Sequence, residues 1–247
     1  MKKETSIATA IGKIILIGEH AVVYGQPALA IPFPETKIKT IINREKGPVS
    51  LECYFYKGLF SKAPDRLLGL TTIVREIVSS FNEKLKDFNI TIESSILPER
   101  GMGSSAAVAV ATVKALYDFF NRPLTEEDLF KWSNMSEKIV HGNPSGIDTA
   151  IIIGEKPLYY VKGKPFIPFP FELDAYLVVA DTGELGETQA AVSAVKKMVD
   201  SNPHKVKPLI RQLGNLTRAA MDSIEKGDIV RLGMIMNNAH AILDELG

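Results

Sequence analysis

The apolar positions of this chain change period several times, and each change marks an element. KIILI at 13–17 is a short β-branched run that halts at Gly18, predicting a buried strand. TKIKTIIN (36–43) and VSLECYFY (49–56) predict two further strands, parted by the turn formers KGP. From Asp65 the spacing turns helical: Leu70, Ile73, Val74, Ile77, Val78 and Phe81 share a face behind Pro64 and a capping Asp65. FNITIESSIL (88–97) reads as a strand, and PERGMGSSAAVAVATVKALYDFF (98–120) as a tight turn opening into a buried helix. Thr125 caps a helix carrying Leu129, Phe130, Trp132, Met135, Ile139 and Val140, which HGNPSG ends. Short strands are expected at 149–153 and 157–162, and another in AYLVVADTG (175–183). Helices near 187–201, 205–226 and 228–246 complete a mixed α and β chain. The proline-rich piece at 163–174 is the best boundary, giving expected domains of 1–168 and 169–247.

Composition narrows the function classes. With 247 residues, 45% hydrophobic and 23% charged, the chain can bury a sizeable core. Basic and acidic residues balance at 29 each, so no net field points to nucleic acid or an anionic membrane. The single cysteine, Cys53, excludes an internal disulfide and a cysteine-based zinc cluster, and fits a reducing cytosol. The N-terminal apolar run is too short for a secretory core, and no segment reaches the roughly 18–20 apolar residues of a membrane span. A soluble cytoplasmic protein is expected.

The candidate chemistry begins at GMGSSA, which matches the dinucleotide fingerprint G-x-G-x-x-A. That motif belongs in a β-α-β unit with an acidic residue closing the next strand. Here a second helix follows instead, so a nicotinamide enzyme is disfavoured, and no Gly-Lys-Ser/Thr supports a P-loop. What remains is general: Gly101 and Gly103 permit positive φ, and the helix start at Ser104 and Ser105 offers free amides to an anion. The competing reading is that Ser104 merely caps the helix after a glycine turn.

Elsewhere, Lys13 precedes the first strand, and Glu19 and His20 follow it between Gly18 and AVVYG. Four scattered histidines, His20 and His141 among them, form no zinc-ligand spacing. Phe130, Ser133, Glu137 and His141 share one helix face, where Glu137 is either an exposed charge or a cation ligand. Asp148, at the threshold of the expected strand TAIII, is either a turn cap or a general base in a partly dry cleft. Together these parts would serve phosphoryl transfer. Loop amides would hold a polyphosphate, Ser105 and Glu137 a magnesium ion, and Asp148 with Lys13 would act on an attacking alcohol.

At these residues the chain resembles a known family. PERGMGSSAAVA is similar to the phosphate-binding motif of the GHMP kinases, and KIILIGEHAVVYG with EKIVHGNPSGID resembles their mevalonate kinase branch. The resemblance runs from about residue 10 to the end of the chain. It implies an α+β fold of two domains, ribosomal-S5-like at the N-terminus and ferredoxin-like at the C-terminus, with ATP and mevalonate as substrates and Mg²⁺ as cofactor. It implies Lys13 and Asp148 as the catalytic pair, and Ser105 and Glu137 as magnesium ligands. Pro98, Glu99, Arg100, Gly101, Met102, Gly103, Ser104, Ser105, Ala106 and Ala107 match the loop around the ATP phosphates. Lys13, Glu19, His20, Asp148 and Thr182 match the substrate site. No nucleic-acid or membrane partner is implied, and a monomer or homodimer is expected. The family's C-terminal glycine-rich loop and closing strands are missing after HAILDELG, so a fragment with an incomplete C-terminal domain is expected.

Overall fold

A computed structural model describes residues 2–95, 100–142, 144–180 and 188–246. The chain forms two compact units, one of Met1–Lys13 with Phe33–Glu155, the other of Ile14–Pro32 with Lys156–Gly247. This division is discontinuous, because strands β1 (Thr5–Ile17) and β2 (Pro27–Pro48) each contribute residues to both units. The boundary at residue 168 rests on composition, and as a domain limit it stays a proposal.

In the first unit β2 pairs antiparallel with β5 (Lys86–Ser94), Ile42 opposite Ile90, after β3 (Ser50–Cys53) and β4 (Tyr56–Leu59) have formed a hairpin. β3 joins β5 in parallel, Leu51 opposite Ile90. Alternation puts Ile38, Ile42, Leu51, Phe88 and Ile90 on the buried face. That face packs with helix α1 (Leu68–Ser80), whose Leu70, Ile73, Val74, Ile77 and Val78 form one apolar stripe. Helix α2 (Ser104–Phe119) is buried nearly all round. Its Ala106, Ala107, Ala109, Ala111 and Ala115 are small, so α1, α3 (Glu126–His141) and α4 (Ile147–Gly154) can all pack against it. Thr125 caps α3 by accepting the Asp128 amide at 3.1 Å, and three acidic residues occupy the first turn.

In the second unit, residues 27–30 of β2 pair antiparallel with β6 (Leu158–Val161), and β6 pairs with β7 (Ile167–Pro168). Helices α5 (Thr188–Ser201), α6 (Pro203–Glu225) and α7 (Ile229–Leu246) supply Val195, Ile210, Leu213, Ile235 and Ile242 to a separate core with Ile17, Leu29 and Phe169. Among the described residues no helix is long and apolar enough to cross a membrane.

Several expectations differ: VSLECYFY, expected as one strand, is the hairpin β3–β4 with its turn at residues 54–55, and α1 follows Leu67 with no side-chain cap from Asp65. The strand expected at 149–153 is instead helix α4, with Ala150 donating to Gly146 at 3.0 Å. A short run that is apolar on every side carries no period, so it suits a buried helix as well as a buried strand. The first strand starts at Thr5 and not Lys13, because SIATAIG alternates small and polar residues too weakly to be seen. Residues 175–180 of AYLVVADTG form no strand; Tyr176 and Val178 are exposed, and the segment pairs with none of the described strands. Residues 181–183 lie outside the described residues.

Candidate active site

Within the first unit, four sequence-predicted side chains converge. Lys13 stands on β1, and its backbone amide donates to Met102 at 3.1 Å, tying that strand to the glycine loop. Its side chain is 5% exposed, and Nζ lies 3.1 Å from Asp148 Oδ1. Asp148 occupies the first turn of α4, where a helix favours negative charge, and its side chain is 32% exposed. A buried ammonium therefore faces a carboxylate that solvent or substrate can still reach.

Gly103 makes this close approach possible. It has φ 70°, and a Cβ there would lie 3.0 Å from Lys13 Cγ and 3.3 Å from Ile152 Cδ1. Gly103 itself is the N-cap of α2 and no side chain caps the helix, so Ser104 is its first residue and not its cap. Ala107 donates to Gly103 at 3.0 Å, which leaves the amides of residues 104–106 at the helix start for an anion. Ala106 and Ala107 are buried, so any part they take is through the backbone. We expect Gly103→Ala to lose about 1–2 kcal/mol of stability from the left-handed backbone alone. It should also push the Lys13 stem aside and lower kcat; a melting curve and kcat matching the wild type would contradict this packing.

Glu137, on α3, is 4% exposed, which removes the alternative of a solvated stripe. Burial raises its pKa; the Ser105 hydroxyl hydrogen bond, His141 and Lys13 oppose the rise, and Asp148 adds to it. His141 Nε2 is 3.6 Å from Glu137 Oε2, whereas Glu137 Oε1 is buried without a hydrogen-bond partner among the described residues. Glu137 is thus a carboxylate held in a dry place with one oxygen unspoken for. The i, i+4 spacing of Glu137 and His141 was legible, but not the burial of one and exposure of the other.

Glu19 and His20 belong to the second unit, in the turn before a short 3₁₀ segment at Ala21–Tyr24. Ala21 donates to Glu19 across His20, which has φ 56° and ψ −49°, an uncommon and strained three-residue turn. Gly18 precedes it at φ 103°, where a Cβ would fall 2.4 Å from the Pro27 carbonyl oxygen. Burial lowers the His20 pKa, favouring a neutral imidazole, and its Nδ1 has no partner among the described residues. Arg100, Gly101 and Met102 are described, whereas Pro98, Glu99 and Thr182 lie outside the described residues.

Comparison with known proteins adds to this geometry. Residues 71–155 match the model of the GHMP kinases N terminal domain, a span that holds Ser105, Glu137 and Asp148. The mevalonate kinase of Pyrococcus horikoshii is 32% identical over 263 aligned residues, covering 98% of this chain and 77% of that protein. The solved mevalonate kinase of methicillin-resistant Staphylococcus aureus MRSA252 is 36% identical with a TM-score of 0.72, covering 99% of this chain and 78% of that one. L. major mevalonate kinase, solved in complex with R-mevalonate, is 25% identical with a TM-score of 0.80, covering 100% and 78%.

Proposed function

This chain belongs to the mevalonate kinase family, and on that premise we propose that it transfers the γ-phosphoryl group of ATP to the primary hydroxyl of (R)-mevalonate at the Lys13–Asp148 pair. The observation that carries the assignment of the pair is the 3.1 Å contact of a buried ammonium with a reachable carboxylate, beside an uncapped helix start. Asp148 accepts the hydroxyl proton. The substrate oxygen forms its bond to the γ-phosphorus as the bond from that phosphorus to the bridging oxygen breaks, and ADP leaves. Lys13 Nζ donates to the developing alkoxide, a preorganised charge in a dry site. The amides of residues 104–106 bind the phosphates and fix the line of transfer, which is most of what phosphoryl transfer asks of a protein. Glu19, His20 and Thr182 are proposed to bind mevalonate on the strength of the family resemblance.

The donor set around Glu137 fits Mg²⁺. A buried carboxylate oxygen without a partner and an adjacent serine hydroxyl are hard oxygen ligands of the kind that hold this ion alongside water and phosphate. Ser105 and Glu137 would hold it, and when bound it would offset charge on the phosphates. Its positive charge would also remove the cost of keeping Glu137 ionised in a buried position.

The test is ADP release by the purified protein with ATP, Mg²⁺ and, in separate reactions, mevalonate, phosphomevalonate, galactose or homoserine. Mevalonate should be turned over with kcat/KM at least about a hundredfold above the others, as expected when a site's buried polar groups must be matched. Preference for any other acceptor would overturn the substrate assignment.

A further inference from the structure

Ser133 and Glu137 stand one turn apart on the same face of α3, where side chains at i and i+4 are neighbours with Cβ atoms about 5–6 Å apart. Ser133 is 0% exposed. Ser133 Oγ and Glu137 Oε1 are both sealed from solvent, and neither has a hydrogen-bond partner among the described residues. Two other buried helical hydroxyls are satisfied, Thr217 donating to the Leu213 carbonyl at 2.9 Å and Ser223 to that of Ala219 at 3.0 Å, whereas Thr149 Oγ1 on α4, like Ser133 Oγ, has no partner among the described residues. Bonding to the carbonyl four residues back is a common outlet for such a group. Ser133 does not use it, so an unpaired donor and an unpaired acceptor belong to residues one helical turn apart on the same face.

We infer that Ser133 is a positioning residue for Glu137: unpaired in the ligand-free protein, its hydroxyl turns to donate to Oε1 when that carboxylate ligates a cation, and so fixes the direction in which the carboxylate presents its remaining lone pairs. A turn of the serine between staggered rotamers is the only rearrangement its own side chain has available, and an ionised carboxylate oxygen can accept this bond while ligating a cation. Hydrogen bonds behind a ligating group set its orientation, and their loss typically weakens metal binding by about 10–100-fold. The inference rests on the reading of Glu137 as a magnesium ligand. It concerns how that ligand is held, which neither the family match nor the motif spacing addresses.

The experiment compares Ser133→Ala and Ser133→Cys with the wild type in two measurements. One is the Mg²⁺ concentration giving half-maximal activity; the other is the rise in Tm produced by Mg²⁺ with ADP, which needs no turnover. Ser133→Ala should raise the half-saturating Mg²⁺ about tenfold or more, leave kcat at saturating Mg²⁺ within about twofold, and shrink the Tm rise. Its Tm without ligand should equal or exceed that of the wild type, because a buried donor without a partner has been removed. Ser133→Cys, similar in size but a weak donor, should fall between the two, and it also reports if the alanine variant fails to fold. Wild-type Mg²⁺ dependence and an undiminished Tm rise in both variants would reduce Ser133 to packing. If the wild type itself shows no turnover, the kinase reading fails, while the Tm measurement still decides the role of Ser133.

Discussion

Asp148→Asn should reduce kcat by about three orders of magnitude, within the 10²–10⁴-fold span general acid–base groups contribute, while ATP binding measured by calorimetry changes little. The amide keeps the size and one carbonyl oxygen of the aspartate, so Lys13 Nζ retains an acceptor at the place where it now contacts Oδ1. What disappears is the ability to take the substrate proton. The variant should lose only modest stability, because Asp148 is partly exposed and water can replace part of what the carboxylate supplied. A kcat within about tenfold of wild type would remove Asp148 from the role of base.

Glu137→Gln should show the opposite balance: loss of turnover together with a more stable ligand-free protein. Burial is the largest influence on Glu137, and it raises the pKa above the ordinary 4.5. The sign follows from proton counts. Below the unfolded pKa both states hold the proton and the buried site carries no penalty. As pH rises from about 4.5 towards the raised folded value, the native state holds more protons than the unfolded one, so stability falls. Above that window the penalty is constant. The Tm gain of Glu137→Gln should therefore be small at the acid end and grow with rising pH, each kcal/mol relieved adding roughly 2–4 °C for a chain of this size. Turnover should fall by about 10²-fold or more, as when a preorganised electrostatic group is removed. A variant less stable than wild type at neutral pH would show that Glu137 is held by its contacts and not strained by its burial.

These two carboxylates also mark how far the sequence could be read. The positions of Lys13, Ser105, Glu137 and Asp148 were legible as residue types beside turn and helix signals, and the structure brings the four together in one unit. The depth of each was not legible, since burial depends on what packs from distant segments. Asp148 was expected at the edge of a strand; it lies in the first turn of α4 because the short, mostly apolar run TAIII carries neither period. Helices α1 and α3 were legible from their apolar period, α3 also from its Thr125 cap, and α2 from a glycine turn opening into a continuous apolar run; α5, α6 and α7 were legible because proline and glycine separate them. The turn at His20 was invisible, as a positive φ at a non-glycine residue has no local signature. The unpaired Ser133 was equally hidden: its place on the Glu137 face was plain, but the missing hydrogen bond is a property of packing.

This protein phosphorylates the primary hydroxyl of mevalonate. The most direct measurement is ³¹P NMR of a reaction containing the purified protein, ATP, Mg²⁺ and (R)-mevalonate. A new phosphomonoester resonance coupled to the protons of the carbon bearing the primary hydroxyl should appear in step with ADP. ATP consumed without that resonance, or a phosphate coupled to no methylene protons, would contradict it.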